Sequence, residues 1–361
     1  MFIRRTLSLV LIILWLWPAS LYAQSEALMD AYNQGQALYE AGQYEQAIPH
    51  WRRALELGEQ EFGPNHSTTA LLLNNLAELY RAQSRYAAAE PLYKRSVAIW
   101  EKAGPNSKGV VVLVHGRTWS GLPDFDLQIP GEDLSLMDGL IEAGYATFAV
   151  DLRGYGATPR DETGWLTPDR AARDLRAVLK RVWRRTGQGE RPILFGWSYG
   201  SMVSQLTVQR WPELVSSVVL FGYPWSARRE VPVTEDPEDP PMATNTAEAA
   251  ASDFIIPGSI SQAAIDGYVE AALEADPVRV DWRRLHEWSE LDAAKVTVPT
   301  LLIQGEQDPI ASTEAHASFF SELAAGDREW VVVPGGDHAA FLETPRAYFL
   351  QALVSFIERP R

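Results

Sequence analysis

Apolar positions change their rhythm along this chain. From Leu7 to Trp17 they run unbroken. From residue 27 to about 103 they recur at helical spacing, and from Val110 onward they gather in short β-branched runs separated by amphipathic stretches. In the second region, a shift of 42 residues lays Tyr44 on Tyr86, Ala47 on Ala89, Pro49 on Pro91 and Trp51 on Tyr93. Each unit predicts two helices, 31–40 and 44–57 in the first, 71–81 and 86–100 in the second. Small residues (Gly35, Ala47, Ala77, Ala89) stand where helices must approach closely, and large ones (Leu38, Trp51, Tyr80, Tyr93) fill the gaps between them.

The third region predicts buried strands at 110–114, 146–150, 193–195, 218–221, 301–303 and 330–333. Helices are expected between them, at 134–142, 168–185 and 201–210. Strands apolar on both faces with helical crossovers imply a mostly parallel α/β sheet. Such sheets carry their chemistry at the carboxyl ends of the strands. The turn-rich segment Gly104-Pro105-Asn106-Ser107-Lys108-Gly109 marks the boundary, so the α/β domain is expected over 104–361.

At the amino terminus, Arg4 and Arg5 precede the apolar run, Pro18 breaks it, and Leu21-Tyr22-Ala23 ends on a small residue. This is the three-part pattern of a signal peptide over residues 1–23. It implies export, to the periplasm in a Gram-negative cell. The alternative is an uncleaved anchor over 7–23, the one case in which the chain would touch a membrane. That stretch is shorter than the roughly 20 apolar residues of a spanning helix.

Composition narrows the function. The net charge of −15 disfavours a nucleic-acid partner, which requires a basic face. The absence of Cys removes disulfide scaffolds, thiolate zinc sites and a thiol nucleophile. No phosphate-cradling or HExxH motif occurs, so neither a metal nor an organic cofactor is implied.

Candidate chemistry lies where the sheet argument expects it. Gly196-Trp197-Ser198-Tyr199-Gly200 follows one strand and opens a helix. The glycines suit a tight strand–turn–helix in which Ser198 projects above the sheet, and the Tyr199 amide falls at a helix start where N–H groups are unpaired. A serine hydroxyl requires a base. His338, in Gly335-Gly336-Asp337-His338, follows the strand at 330–333. Asp308 follows the strand at 301–303 and can orient an imidazole, with Glu306 its rival. His115-Gly116-Arg117-Thr118 follows the strand at 110–114. His115 is expected to pack, His286 and His316 to lie at the surface, and Asp337 to be solvated or bonded to backbone. Asp151-Leu152-Arg153-Gly154-Tyr155-Gly156 reads as a structural turn.

In this order and setting, residues 109–358 resemble the α/β-hydrolase fold. The resemblance implies Ser198 as nucleophile, Asp308 as acid and His338 as base. The amides of Tyr199 and Arg117 would be the oxyanion donors, with Thr118 an alternative. The helical region resembles tetratricopeptide repeats, in two units over 27–103; this implies either a groove for a protein or peptide partner or a brace for the catalytic domain. A lid is expected over 224–295, with helices at 247–254, 261–274 and 281–291. Trp119, Trp197 and Trp225, with Tyr199 and Tyr223, are the pocket candidates. The expected activity is that of an exported serine hydrolase acting on a small acyl substrate, an ester first. A peptidase or acyltransferase on the same residues, or a partner-binding protein with a silent hydrolase domain, are the alternatives.

Overall fold

The computed structural model describes residues 19–61, 67–83, 85, 88, 92, 99–102, 107–161, 163–187, 189–224 and 238–360. The expected signal segment before residue 19 therefore lies outside the described residues, as does Trp225. No helix among the described residues is long and apolar enough to cross a membrane.

Helices α1 (Ala19–Glu40), α2 (Tyr44–Glu61) and α3 (Ser67–Ala82) form the repeat region. The small-against-large pattern explains their approach: a methyl group on Gly35 would meet the Trp51 ring at 2.3 Å. Trp51, Leu72, Leu76 and Tyr80 lie in the buried core between the helices. Most of the expected fourth helix is outside the described residues. Its last two positions, Ile99 and Trp100, belong instead to a strand, β1 (Ile99–Lys102). Pairing with the open edge of a neighbouring strand outweighs helical continuation there, because that edge otherwise exposes unpaired backbone groups.

The strands that follow are β2 (Gly109–Val114), β3 (Tyr145–Val150), β4 (Trp165–Leu166), β5 (Ile193–Trp197), β6 (Ser217–Phe221), β7 (Asp281–Trp282), β8 (Thr300–Gly305) and β9 (Arg328–Val333). The interleaved helices are α4 (Gly121–Phe125), α5 (Leu136–Glu142), α6 (Pro168–Arg185), α7 (Tyr199–Arg210), α8 (Ala247–Ala251), α9 (Gln262–Ala275), α10 (Thr313–Glu322) and α11 (Arg346–Ile357). The main sheet has seven strands in the order β1-β3-β2-β5-β6-β8-β9. Only β1 runs antiparallel to its neighbour. The runs of β-branched residues are buried on both faces: Val112 and Val114 join the core on one side, Val111 and Leu113 the core on the other.

Chain direction decides where a site can form. After β2 the chain moves outward to β3, then returns to place β5 on the other side of β2. The β2–β5 boundary is thus the switch point, where the loops at the carboxyl ends part and leave a crevice.

The insertion after β6 is helical in α8 and α9, as the pattern predicts. The helix expected at 281–291 is not formed. Asp281 and Trp282 pair as β7 with Trp165 and Leu166 of β4. Arg284 then takes a left-handed backbone (φ 53°), and a 3-10 turn covers Leu285–Glu290. A left-handed residue cannot continue an α-helix.

Candidate active site

Ser198 caps α7 with φ 53° and ψ −120°, a conformation that costs a non-glycine residue about 1–3 kcal/mol. Its surroundings hold it there. Its N–H donates to the Phe221 carbonyl of β6 at 2.9 Å, and its carbonyl accepts from Ser201 N–H at 3.0 Å. The flanking glycines are sterically required. A Cβ on Gly200 would sit 2.2 Å from the Val114 carbonyl oxygen, and one on Gly196 would sit 2.4 Å from the Gly200 carbonyl oxygen.

His338, in the loop after β9, approaches Asp308, in the loop after β8. Nδ1 lies 2.8 Å from Asp308 Oδ2, and both groups are buried. The other oxygen of Asp308 accepts from the amides of Ile310 (2.9 Å) and Ala311 (3.1 Å). Burial alone would raise the Asp308 carboxyl. The His338 contact and these amides hold it below the ordinary carboxylate value. Glu306 turns away: it is exposed and accepts from the Gly335 amide. Gly222 makes room for the pair. Its φ is +56°, and a Cβ there would lie 2.9 Å from the His338 ring. Sequence reasoning passed over Gly222; its signal was a glycine one residue past a buried strand.

The opposite wall is the loop after β2, held through its carbonyls. His115 is fully buried, and burial pulls its imidazole down to about 4. Its Nε2 accepts from the Leu152 amide at 3.0 Å, so the ring hydrogen is on Nδ1 and faces the Gly116 carbonyl at 2.9 Å. Tyr155 Oη donates to the Arg117 carbonyl and accepts from Trp282 Nε1 at 2.8 Å. In a planar trans peptide the N–H points opposite to the C=O. Holding the Gly116 and Arg117 carbonyls therefore aims the amides of Arg117 and Thr118. His115 is thus more than packing, and the turn at 151–156 carries, in Tyr155, a support for this loop that its sequence did not signal.

These walls enclose a cavity of about 250 Å³ lined by Ser198, His338, Arg117, Trp119, Trp197 and Asp253, among others. A wider cleft of about 530 Å³ near Glu132 and Arg346 contains none of these groups. Of the aromatic candidates, Trp119, Trp197 and Tyr199 line the cavity that holds Ser198 and His338. Trp197 also donates from Nε1 to the His338 carbonyl at 2.6 Å, which pins the loop after β9. Tyr223 does not line it. It is buried two residues past the end of β6, against Phe319 and bonded to Gln205. His316, expected at the surface, is fully buried on the inner face of α10, close enough to Asp308 and His338 to feel both charges.

Two acids were missed. Asp124 on α4 and Asp253 after α8 both line the cavity. Neither lies in a recognisable motif, and 129 positions of chain separate them. Asp337 is bonded to backbone: it accepts from the Ile255 and Ile256 amides at 2.9 and 3.1 Å and so ties the insertion to the loop after β9. Asp276, on the insertion, accepts from the amides of Ser120 and Gly156 at 2.7 Å each. Among the described residues no cluster of His, Asp and Glu is arranged to hold a metal ion.

Comparison with known proteins agrees with this architecture. Residues 105–345 match the family model described as serine aminopeptidase, S33, and residues 27–102 match a tetratricopeptide repeat model. A relative from Mesorhizobium japonicum, 2-(acetamidomethylene)succinate hydrolase, is 26% identical over 230 residues, 59% of this chain and 79% of its own length. The solved structure of E-2-(acetamidomethylene)succinate hydrolase is similar with a TM-score of 0.52 at 20% identity, over 73% of this chain and 95% of that one. A structure from a study of the metagenome-derived lipolytic enzymes LipS and LipT reaches 0.52 at 19% identity, over 72% and 96%. At these identities the solved structures speak to the fold alone.

Proposed function

We propose, for a chain that belongs to the serine aminopeptidase S33 family, that Ser198, His338 and Asp308 cleave a carboxylic ester or related acyl bond through an acyl-enzyme. The observation that carries the reading is the strained Ser198 sharing a cavity with a buried imidazole that is itself oriented by a carboxylate. His338 Nε2 takes the Ser198 hydroxyl proton as Oγ attacks the carbonyl carbon. Negative charge then builds on the carbonyl oxygen, against the amides of Tyr199 and Arg117. His338 returns the proton to the leaving group, and the C–O bond breaks. Water, deprotonated by the same imidazole, then releases the acid and restores Ser198. Asp308 fixes the tautomer and offsets the charge of the imidazolium.

The acyl–amide reading uses the same residues and is favoured by the name of the Mesorhizobium relative, whose substrate carries an acetamido group. The two are separated by measuring kcat/KM for matched esters and amides of short acids. We expect turnover of esters, lost by at least about 10³-fold in Ser198→Ala. Turnover that survives this substitution would refute the assignment. We also propose export directed by residues 1–23 and a protein or peptide contact through the repeats. Fractionation of full-length protein, with N-terminal sequencing, tests the first.

A further inference from the structure

Several arginines of the α/β domain are neutralised within the chain. Arg153 pairs with Asp161 and Asp174, Arg170 with Asp161, Arg210 with Asp169 and Glu290, and Arg346 with Asp133. Arg117 is different. Among the described residues it forms no ion pair, and its Nε is buried without a hydrogen-bond partner. Its guanidinium stacks over the Tyr199 ring, with Cζ 5.0 Å from the ring centre. Tyr199 is fixed in turn, edge-on against Trp282 and Trp288. Arg176 and Arg283 also stack on indoles, those of Trp211 and Trp165, but neither lines the cavity that holds Ser198 and His338. Arg117 does. Stacking sets the plane of a guanidinium and leaves the N–H groups around its edge able to donate. A cation held this way in a cleft, with no counter-ion from its own chain, is suited to an anion that enters from outside.

The neighbouring acids narrow the kind of anion. Asp124 and Asp253 line the same cavity, but their partners lie elsewhere. Tyr268 Oη lies 2.9 Å from Asp124 Oδ1 and 3.3 Å from Asp253 Oδ2, the Gly116 amide meets Asp124 Oδ2 at 3.4 Å, and the Trp119 indole is bonded to Asp253. Burial pushes the Asp124 carboxyl well above its usual range and that of Asp253 up to about 6. Asp253 is thus mostly ionised at pH 7, and its charge repels a dianion, such as a phosphate monoester, more than a monoanion. A planar carboxylate also matches the guanidinium fork. The wall decides which part of the substrate carries it. His338 must reach the leaving group, which therefore lies toward the loop after β9. Arg117 stands on the opposite wall, beside the acyl part.

We propose, resting on the hydrolase reading above, that Arg117 is a specificity-determining residue whose guanidinium takes a carboxylate carried on the acyl part of the substrate. The substrate class is then the half-ester or half-amide of a small dicarboxylic acid, in keeping with a cavity of about 250 Å³.

The test uses the full-length protein and two matched sets of esters. One set is the monomethyl esters of malonic, succinic, glutaric and adipic acid. In the other, a neutral carboxamide replaces the carboxylate at each length. The quantity read is the ratio of kcat/KM for acid over amide, in the wild type, Arg117→Gln and Arg117→Lys. The Arg117 backbone amide persists in every variant. Any disturbance of the oxyanion loop acts on both esters of a pair and cancels in their ratio, as does their intrinsic reactivity. A charge-assisted contact of ordinary strength predicts a wild-type optimum at one chain length. There, Arg117→Gln lowers the ratio roughly tenfold to a hundredfold, and Arg117→Lys restores part of it. A ratio that Arg117→Gln leaves unchanged at every length overturns the proposal. If both esters of each pair slow together, Arg117 serves the oxyanion loop and not an anion. Labelling of Ser198 by an uncharged fluorophosphonate separates the two levels. A wild type that labels but shows no preference for the acid, or cleaves neither set, loses the carboxylate subsite alone. A wild type that neither labels nor turns over any ester loses the hydrolase reading and the subsite with it.

Discussion

The elbow at Ser198 and the insertion around Asp253 face the same cavity but are built on different physical terms. The elbow is a backbone construction. Two glycines with no room for a Cβ, a left-handed serine and the end of a buried strand define it within five consecutive residues. The insertion is held by side chains acting over long distances in sequence. Asp276 reaches the Ser120 and Gly156 amides, Asp337 reaches Ile255 and Ile256, and Tyr268 reaches Asp124. A backbone site tolerates almost no substitution. A side-chain site can be retuned one contact at a time.

If this contrast is right, changes at the elbow should be near-total. Gly200→Ala drives a methyl group into the Val114 and His115 carbonyls. We expect loss of folded protein or of all turnover, read by circular dichroism and ester hydrolysis on the same sample. Asp308→Asn leaves the shape intact but removes the acceptor that fixes the His338 tautomer. A fall in kcat of about 10⁴ with a small change in KM is expected. Native-like kcat in this variant would place the orienting acid elsewhere.

Effects should soften with distance from Ser198. Tyr155→Phe removes the hydroxyl that holds the Arg117 carbonyl and leaves Trp282 Nε1 without its acceptor. A kcat reduced about tenfold, with KM nearly unchanged, would show that the loop is aimed through its carbonyl. An unchanged kcat would reduce Tyr155 to packing.

The smallest effect is one of stability. His115 and His316 are buried, and desolvation lowers each to about 4 from an unfolded value near 6.5. The unfolded chain therefore binds these protons first. Stability is full above about pH 6.5 and falls as the pH drops toward 4, by at most about 3 kcal/mol for each group. Chemical denaturation at pH 7 and pH 5 should show the loss, and His115→Asn should reduce it.

The same contrast explains what could be read from residues alone. The six parallel strands, the crossover helices and the triad candidates follow from local pattern, although β9, expected to be buried, lies at the sheet edge and is mostly exposed or half-buried. Continuous β-branched runs mark buried strands, and Gly-rich motifs mark their carboxyl ends. The paired helices of the repeat show in its 42-residue self-match. What escaped was set at a distance. Ile99 and Trp100 continue a helical spacing in the sequence but pair with Val150 and Ala149 about 50 residues on. Asp281 and Trp282 join Trp165 and Leu166 rather than a helix. His316 looks polar in its helix, yet that face turns inward toward Asp308 and His338. Asp124, Asp253 and Tyr268 carry no mutual signal, since their meeting depends on how the insertion folds back over the sheet.

The central claim is that Ser198 is an activated nucleophile. Intact mass of the purified protein after incubation with a fluorophosphonate tests it most directly, alongside Ser198→Ala shown by circular dichroism to be folded. The account predicts one covalent adduct on the wild type and none on the variant. No adduct on the folded wild type, or an equal adduct on both, would contradict it.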